Sequence, residues 1–462
     1  MTTLTSQHFA SLEFDEALIH KYSGSAPRYT SYPTALEFRP IDDDTEQQIL
    51  ENRDPNTPLS LYLHIPFCRH LCYYCGCNKI ITKKNSDSGD YLTQLFAEIR
   101  HKKSFLKGTP QVKQVHLGGG TPTFLTDDEL VRLWHFLQTE FEFDPTGDYS
   151  VEIDPRELRP DTLQVLRNLG VNRLSFGVQD LAENVQIAVN RVQSYELIVD
   201  VMNTARQLGF GSINIDLIYG LPLQTVASMA TTVDKIVALS PDRLSIFNYA
   251  HLPERFVAQK RIKDSDLPAP NDKLAMFKNT ITALNGAGYQ YIGIDHFAKA
   301  DDSLAIAQQT GKLHRNFQGY TILGECDLLG FGVSSISQIG SHILQNHSDL
   351  NTYKAMIDDG KFPAVKHITS TPDDLIRRDV IMNLLCHDVM NFEQLDKKFN
   401  IDSRHYFADE LARLAEMTAD GLVALDETGV TILAKGRILG RSVARVFDTY
   451  HQTQQKRFSQ VI

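Results

Sequence analysis

Four of the chain's six cysteines fall within ten residues, in Phe67-Cys68-Arg69-His70-Leu71-Cys72-Tyr73-Tyr74-Cys75-Gly76-Cys77, a C-x3-C-x2-C-x-C run. A disulfide framework spreads its cysteines along the chain, so this clustering reads as metal or redox chemistry. Thiolates bind soft and borderline metals. Cys68, Cys72 and Cys75 can converge on one centre only if the backbone wraps round it as a loop. Three protein thiolates leave one iron of a four-iron cluster open, and an open iron binds a substrate or cofactor. Structural zinc is the competing reading. It usually takes two cysteine pairs, or a cysteine pair and a histidine pair, and downstream Cys326 and Cys386 stand alone. Cys77 is ambiguous: as a fourth ligand it would close the cluster, but its one-residue gap from Cys75 strains joint ligation.

The elements that must position this loop read as strand, helix, strand, repeated. Six apolar, β-branched runs are strand candidates: Leu59–Ile65, Val112–Leu117, Tyr149–Ile153, Arg173–Val178, Ser212–Tyr219 and Arg243–Tyr249. Helical periodicity lies between them, as in 91–105, 127–141, 161–169 and 195–208, with Thr126 and Ser194 as N-caps and Gly170 and Gly209 as stops. Six such repeats predict an α/β fold with a parallel partial (β/α)6 barrel. The cysteine loop directly follows the first strand.

In parallel barrels the active site gathers at the C-terminal strand ends. There the sequence places Gly118-Gly119-Gly120-Thr121, Glu152 with Asp154 and Arg156, Gln179 followed by Arg191, Asp216, Gly220, and Asn248-Tyr249-Ala250. Glycines let backbone approach a ligand closely, although a glycine triplet is equally a tight turn. Singly, each polar residue reads as a solvated loop residue. Together on one rim they are what a site at the barrel mouth requires.

Three segments are expected: an N-terminal arm over 1–57, a barrel over 58–361 and a small, mainly α, winged-helix-like domain over 362–462. In the last, helices are predicted at 374–387, 391–399, 404–420 and 437–450, with a hairpin over 422–433. Hydrophobic residues make up 42% and charged residues 22%, the balance of a soluble globular protein. No apolar run is long enough to span a membrane, and residues 1–20 lack a basic start and apolar core, so a cytoplasmic protein is expected. The net charge of −11 argues against nucleic-acid or anionic-membrane binding. Nothing in the sequence demands more than a monomer.

The C-x3-C-x2-C spacing after a first strand resembles the radical S-adenosylmethionine superfamily. The likeness narrows with Pro-Arg-Tyr-Thr-Ser-Tyr-Pro-Thr in the arm, Leu-Tyr-Leu-His-Ile-Pro-Phe-Cys, Cys-Gly-Cys-Asn, Gly-Val-Gln-Asp, Asp-Leu-Ile-Tyr-Gly-Leu-Pro, Phe-Asn-Tyr-Ala-His-Leu-Pro and His-Arg-Asn-Phe-Gln-Gly-Tyr. From about Tyr22 onward the chain resembles the oxygen-independent coproporphyrinogen III oxidase family of haem biosynthesis.

That resemblance implies a [4Fe–4S] cluster on Cys68, Cys72 and Cys75, two S-adenosylmethionine molecules, and conversion of two propionates of coproporphyrinogen III to vinyl groups. It implies that Tyr62, Gly119, Glu152 and Ile336 hold the first cofactor molecule. Tyr74, Gly120, Thr121, Gln179, Arg191, Asp216 and Ala250 would hold the second. It implies catalytic roles for Tyr62, Glu152 and Cys77, and an electron donor of the flavodoxin or ferredoxin type. Arg28 in the arm, Arg255, Lys260 and Arg315 are candidate anchors for the substrate's carboxylates, or ordinary surface charge. A sister family of haem-binding transfer proteins is the alternative, but it lacks the Arg28-Tyr29-Thr30 arm and the Cys77 position, both present here.

Overall fold

In a computed structural model of the chain, the structure describes residues 8, 9 and 11–453. The first seven residues of the arm, Ala10, and residues 454–462 of the C-terminal segment lie outside the described residues. The chain divides into two compact units along lines other than the arm, barrel and C-terminal segments. One comprises Phe38–Phe277 and Glu325–Thr369; the other comprises Met1–Glu37, Lys278–Gly324 and Ser370–Ile462.

The first unit contains the six parallel strands, β1 (Leu59–Ile65), β2 (Gln111–Gly119), β3 (Glu142–Ile153), β4 (Arg173–Gln179), β5 (Ser212–Tyr219) and β6 (Arg243–Asn248), hydrogen-bonded in sequence order. Helices separate them, among them α1 (Ser86–Ser104), α2 (Asp127–Glu140), α3 (Thr162–Asn168), α4 (Tyr195–Gln207) and α5 (Val226–Leu239). Both N-caps hold: Thr126 forms a capping box with Glu129, and the Ser194 hydroxyl accepts from the Leu197 N–H. Gly170 and Gly209 follow their helices at φ +93° and +76°, where a side chain would be strained.

The periodicity did not reveal an antiparallel extension on the other side of β1. There β7 (Asp327–Phe331) pairs parallel with β1, and β8 (Ile336–Ile339), β9 (His342–Asn346) and β10 (Ala364–Thr369) follow antiparallel. Arg39–Pro40 of the expected arm adds to β10 as an edge strand, which is why residues from 38 onward belong with the barrel.

A buried charge cluster ties α1 to this extension. Lys102, 1% exposed, lies 2.9 Å from Glu46 and 2.8 Å from Glu98. Glu98 also accepts from the Tyr353 hydroxyl, the Asn346 amide and the Gly332 N–H. Burial alone would push the Lys102 ammonium towards neutrality, but the two carboxylates hold its pKa above the ordinary value.

The second unit holds the arm, two short hairpins (Tyr289–Gly293 with His296–Lys299, and His314–Asn316 with Gly319–Thr321) and the C-terminal elements. Tyr29 and Tyr22 of the arm donate to Asp448 and Asp420, so the arm is packed against its own unit rather than loose. The helix at Pro372–His387 and the hairpin appear as expected. A third strand, Val389–Asn391, joins the hairpin. Two expectations need correcting. The single helix over 404–420 is interrupted for one residue at Phe407 and at Leu414, both fully buried, giving Ser403–Tyr406, Ala408–Arg413 and Ala415–Ala419, although the Leu411 and Thr418 N–H groups still donate across the breaks to Phe407 and Leu414. The final helix over 437–450 breaks after Arg445, and the Asp448 carboxylate accepts from the Tyr450 and His451 N–H groups to start Thr449–Thr453.

Replacing Lys102 by Met should leave Glu46 and Glu98 buried without a cation and cost roughly 3–5 kcal/mol. The check is a urea unfolding curve followed by circular dichroism; a loss below about 1 kcal/mol would show that the cluster holds nothing together.

Candidate active site

The cysteine loop is closed at its neck by a short parallel ladder, Phe67 with Ile80 and Cys68 with Ile81. The glycine loop after β2 lies across this neck. Gly120 donates to the Ile65 carbonyl at 2.8 Å, and Thr121 to the Phe67 carbonyl at 2.9 Å. A Cβ on Gly120 would stand 2.6 Å from the Pro66 oxygen, and one on Gly119 2.9 Å from the His64 ring and the Ile65 oxygen. These glycines are therefore required by backbone packing, whatever they bind.

Cys68, Cys72, Cys75 and Cys77 all line one cavity of about 330 Å³ at the C-terminal ends of the strands. Small-molecule sites commonly measure about 300–1,000 Å³. Tyr74, Gly119, Gly120, Thr121, Glu152, Gln179, Arg191 and Asp216 line the same cavity. A second cavity, about 410 Å³, lies by Arg53, Thr57 and Asp327 near the start of β1; no cysteine lines it, so the thiols mark the C-terminal end as the chemical one.

All four thiols are free. Cys72 is buried, with the Arg156 and Arg191 guanidiniums each 3.5 Å from its sulfur. Asp154 holds both arginines, at 2.6 Å and 2.9 Å. Burial pushes the Cys68 thiol up to about 12, against a 3.5 Å hydrogen bond from the Thr121 hydroxyl. The neighbouring Cys77 thiol and, less strongly, Lys79 pull Cys75 down to about 6.

The cavity carries groups that the protein itself leaves unsatisfied. Gln179 Oε1 and Arg191 Nε are buried and find no hydrogen-bond partner among the described residues. Gln179 also sits at φ +70°, a left-handed conformation unusual for a residue with a side chain. Unpaired buried polar atoms are rare in folded proteins and signal a ligand when they face a cavity. Together with the thiols and two cations beside Cys72, they fit an anionic iron–sulfur cluster and a polar cofactor. Among the described residues no group of three His, Cys, Asp or Glu side chains is drawn together as if round a single metal ion.

Glu152 is held by the Gly119 N–H at 3.2 Å and by His116 at 3.3 Å. Burial pushes its pKa up, but the His116 hydrogen bond and charge and the Gly119 N–H outweigh that, and it lies below the ordinary value. Asp216 goes the other way: burial and the nearby Glu152 raise it to about 6. Tyr62 stacks on His116 at 5.9 Å and reaches His64 Nδ1 at 3.0 Å, while His64 Nε2 meets the Asn78 carbonyl at 2.9 Å. His64, His116 and Lys79 were not foreseen. The two histidines were findable, since His64 shares the alternation of Tyr62 on β1 and His116 that of Gly118 on β2.

Several foreseen residues stand apart from the cavity lining. Ala250 offers its carbonyl to Gln259, and Ile336 opens β8 beside Gly330, the register partner of Tyr62. Arg255 and Lys260 are exposed in the segment after β6. Arg28 and Arg315 lie in the other unit, where Arg28 donates to the buried Asp295 and Arg315 to the Arg28 carbonyl.

A parallel half-barrel whose first strand runs into a C-x3-C-x2-C loop is the architecture of radical S-adenosylmethionine enzymes, and residues 62–236 match the Radical SAM superfamily while residues 370–439 match the HemN C-terminal domain. Such an enzyme uses a [4Fe–4S] cluster and S-adenosylmethionine. The oxygen-independent coproporphyrinogen III oxidase of Escherichia coli (strain K12) is 49% identical over 455 residues, 98% of this chain and 99% of that one. That of Pseudomonas aeruginosa is 49% identical over 456 residues, with the same coverage, and that of Synechocystis sp. 42% over 462. The solved structure described as "Coproporphyrinogen III oxidase (HemN) from Escherichia coli is a Radical SAM enzyme" superposes with a TM-score of 0.91 at 48% identity, covering 95% of this chain and all of that one. The chain belongs to the oxygen-independent coproporphyrinogen III oxidase family.

Two sets of substitutions test the site. Serine at Cys68, Cys72 or Cys75 should abolish the brown absorbance of anaerobically prepared protein, whereas Cys77→Ser should keep it; the reverse pattern would overturn the ligand assignment. Glu152→Gln should weaken S-adenosylmethionine binding about tenfold, or ~1.4 kcal/mol, and Glu152→Ala more, with the cluster retained. The readout is the cofactor-induced change in the electron paramagnetic resonance signal of the reduced cluster. Unaltered affinity in Glu152→Ala would remove this residue from the cofactor site.

Proposed function

We propose that the chain carries out the oxygen-independent oxidative decarboxylation of coproporphyrinogen III to protoporphyrinogen IX in haem biosynthesis. Each of two propionates becomes a vinyl group, releasing carbon dioxide, a proton and two electrons. The observation that carries this reading is the single cavity in which four cysteines meet Gln179 and Arg191, with their unpartnered buried atoms. When bound, the cluster and S-adenosylmethionine supply the hydrogen-abstracting 5′-deoxyadenosyl radical.

The protein's own part is to hold and shield. Cys68, Cys72 and Cys75 would hold the cluster, with Arg156 and Arg191 balancing its charge. The close Gly119–Glu152 and Tyr62–His116 contacts support Tyr62, Gly119, Glu152 and Ile336 as one cofactor site. Tyr74, Gly120, Thr121, Gln179, Arg191, Asp216 and Ala250 would serve a second molecule; the unpartnered Gln179 and Arg191 atoms support this. Cys77 would then have no ligand role and would be open to a catalytic one; its exposure beside Cys75 supports this.

Of the candidate carboxylate anchors, Arg28 and Arg315 belong to a built cluster of charges. They cluster round Asp295, and Arg315 Nη1 is buried without a partner among the described residues. Arg255 and Lys260 stand in solvent, where an ion pair contributes roughly 0–1 kcal/mol. A one-electron carrier of the flavodoxin or ferredoxin type would supply reducing power. We propose a monomer in the cytoplasm; the six free thiols suit a reducing compartment.

Anaerobic incubation of the cluster-loaded protein with coproporphyrinogen III, S-adenosylmethionine and a reductant should yield protoporphyrinogen IX, read as the porphyrin after oxidation. Absence of product with cluster and cofactor both bound would sink the reading. Arg28→Gln should raise the KM for coproporphyrinogen about tenfold, ~1.4 kcal/mol, and leave substrate-free cofactor cleavage unchanged. An unaltered KM would dismiss Arg28 as an anchor.

A further inference from the structure

The segment after β6 is fastened to the cysteine loop at three points. The Phe256 ring packs on Gly76, where a Cβ would lie 3.1 Å from it. Gln259 Nε2 donates to the Tyr74 carbonyl at 2.9 Å. The Arg261 guanidinium stands 5.1 Å over the Tyr73 ring and donates to its hydroxyl at 3.4 Å. A 3-10 turn, Val257–Arg261, is thereby fixed on the outside of the loop that carries Cys72, Cys75 and Cys77.

Its charge is out of keeping with the rest of the chain. Between Glu254 and Lys263 four cations, Arg255, Lys260, Arg261 and Lys263, face one carboxylate, in a protein of net charge −11. All four are exposed, and none is ion-paired among the described residues. Several partly exposed arginines elsewhere are taken by carboxylates, as Arg69 by Glu157, Arg173 by Asp148 and Arg206 by Asp242. The nearby Asp264 is engaged by His251 at 3.0 Å. Within this field Val257 is 75% exposed and Leu252 39%. Unneutralised cations round a bare apolar contact are the make-up of a transient protein interface, where charge steers encounter and a small apolar centre holds it.

We propose that this face docks an acidic one-electron carrier protein that reduces the cluster through the cysteine loop beneath it. The proposal rests on the reading of Cys68, Cys72 and Cys75 as cluster ligands. One electron leaves the carrier's flavin hydroquinone, which becomes the semiquinone, and enters the cluster; no atom is transferred. The charge complementarity picks out an acidic carrier. The attachment to Tyr73, Tyr74 and Gly76 puts that carrier beside the thiolates rather than across the barrel. Steering by these cations weakens as salt rises, because the screening length is about 10 Å at 0.1 M.

The test uses the full, cluster-loaded chain, a bacterial flavodoxin as probe, and two variants, Arg261→Glu/Lys263→Glu and Val257→Asp. Calorimetric titration with oxidised flavodoxin at low salt should show affinity reduced about tenfold in the double variant, ~1.4 kcal/mol, and the gap should close as salt is added. Val257→Asp should also weaken binding. In stopped flow, cluster bleaching by flavodoxin hydroquinone should slow correspondingly, while bleaching by photoreduced deazaflavin stays within about twofold of wild type. Unchanged flavodoxin affinity in both variants overturns the proposal. So does equal slowing with both reductants, which would mean that the loop itself is disturbed. A raised KM for coproporphyrinogen with intact flavodoxin binding overturns it too, and returns the patch to the substrate. Should flavodoxin binding fall as expected while no porphyrin product forms with any reductant, the reaction assignment fails and the docking face stands.

Discussion

Two stretches of backbone cross at the end of β1 with no side chain between them, and the site is built outward from that crossing. Gly119 and Gly120 lie on Ile65–Phe67 closely enough that a single methyl group on either would collide with carbonyl oxygens. Because the contact is backbone to backbone, it fixes where the chain leaves β1 and therefore where Cys68 begins the loop. The Phe67–Ile80 ladder then closes the loop on itself, and the Thr121 hydroxyl reaches the Cys68 sulfur from the glycine side. Glycine triplet and cysteine run, separate motifs in sequence, are two halves of one structural joint.

Charge is distributed round this joint in a graded way. Asp154 binds two arginines that both face Cys72, so the most buried thiol has two cations beside it. Glu152 is kept ionised by His116 and the Gly119 N–H, whereas Asp216, raised by burial and by the nearby Glu152, holds its proton to about 6. Neighbouring carboxylates with opposed pKa shifts ionise in sequence, Glu152 first and Asp216 only as pH rises through about 6.

Much of this was legible in the residues. The six strands follow β-branched runs bounded by turn residues, and Thr126, Ser194, Gly170 and Gly209 marked helix ends because their reasons are local. The cysteine spacing and the polar residues at strand ends located the cavity. What escaped was decided by distant contacts. Glu98 and Lys102 stand four apart on a helix and look like a solvated surface pair, yet Glu46, Asn346 and Tyr353 arrive from elsewhere to bury them. The strands of the extension are four to six residues long and carry little periodicity. The one-residue interruptions at Phe407 and Leu414 fall at fully buried residues, and helical periodicity, continuous through both, does not mark them. Arg28 was legible as a charge, but not as one held in a buried arginine–aspartate cluster.

Gln179 closes β4 with its backbone in the left-handed region. A residue with a side chain gives up roughly 1–2 kcal/mol in that conformation relative to one without, and a glycine would occupy it freely. The chain thus keeps at this corner a residue that works against the stability of its own fold, and keeps it with an amide oxygen that no protein atom satisfies. Selection for durability alone would favour glycine; selection for occupancy favours glutamine. The corner therefore costs the fold twice, once in backbone conformation and once in an unmet amide oxygen, and both costs fall on a residue that lines the cavity.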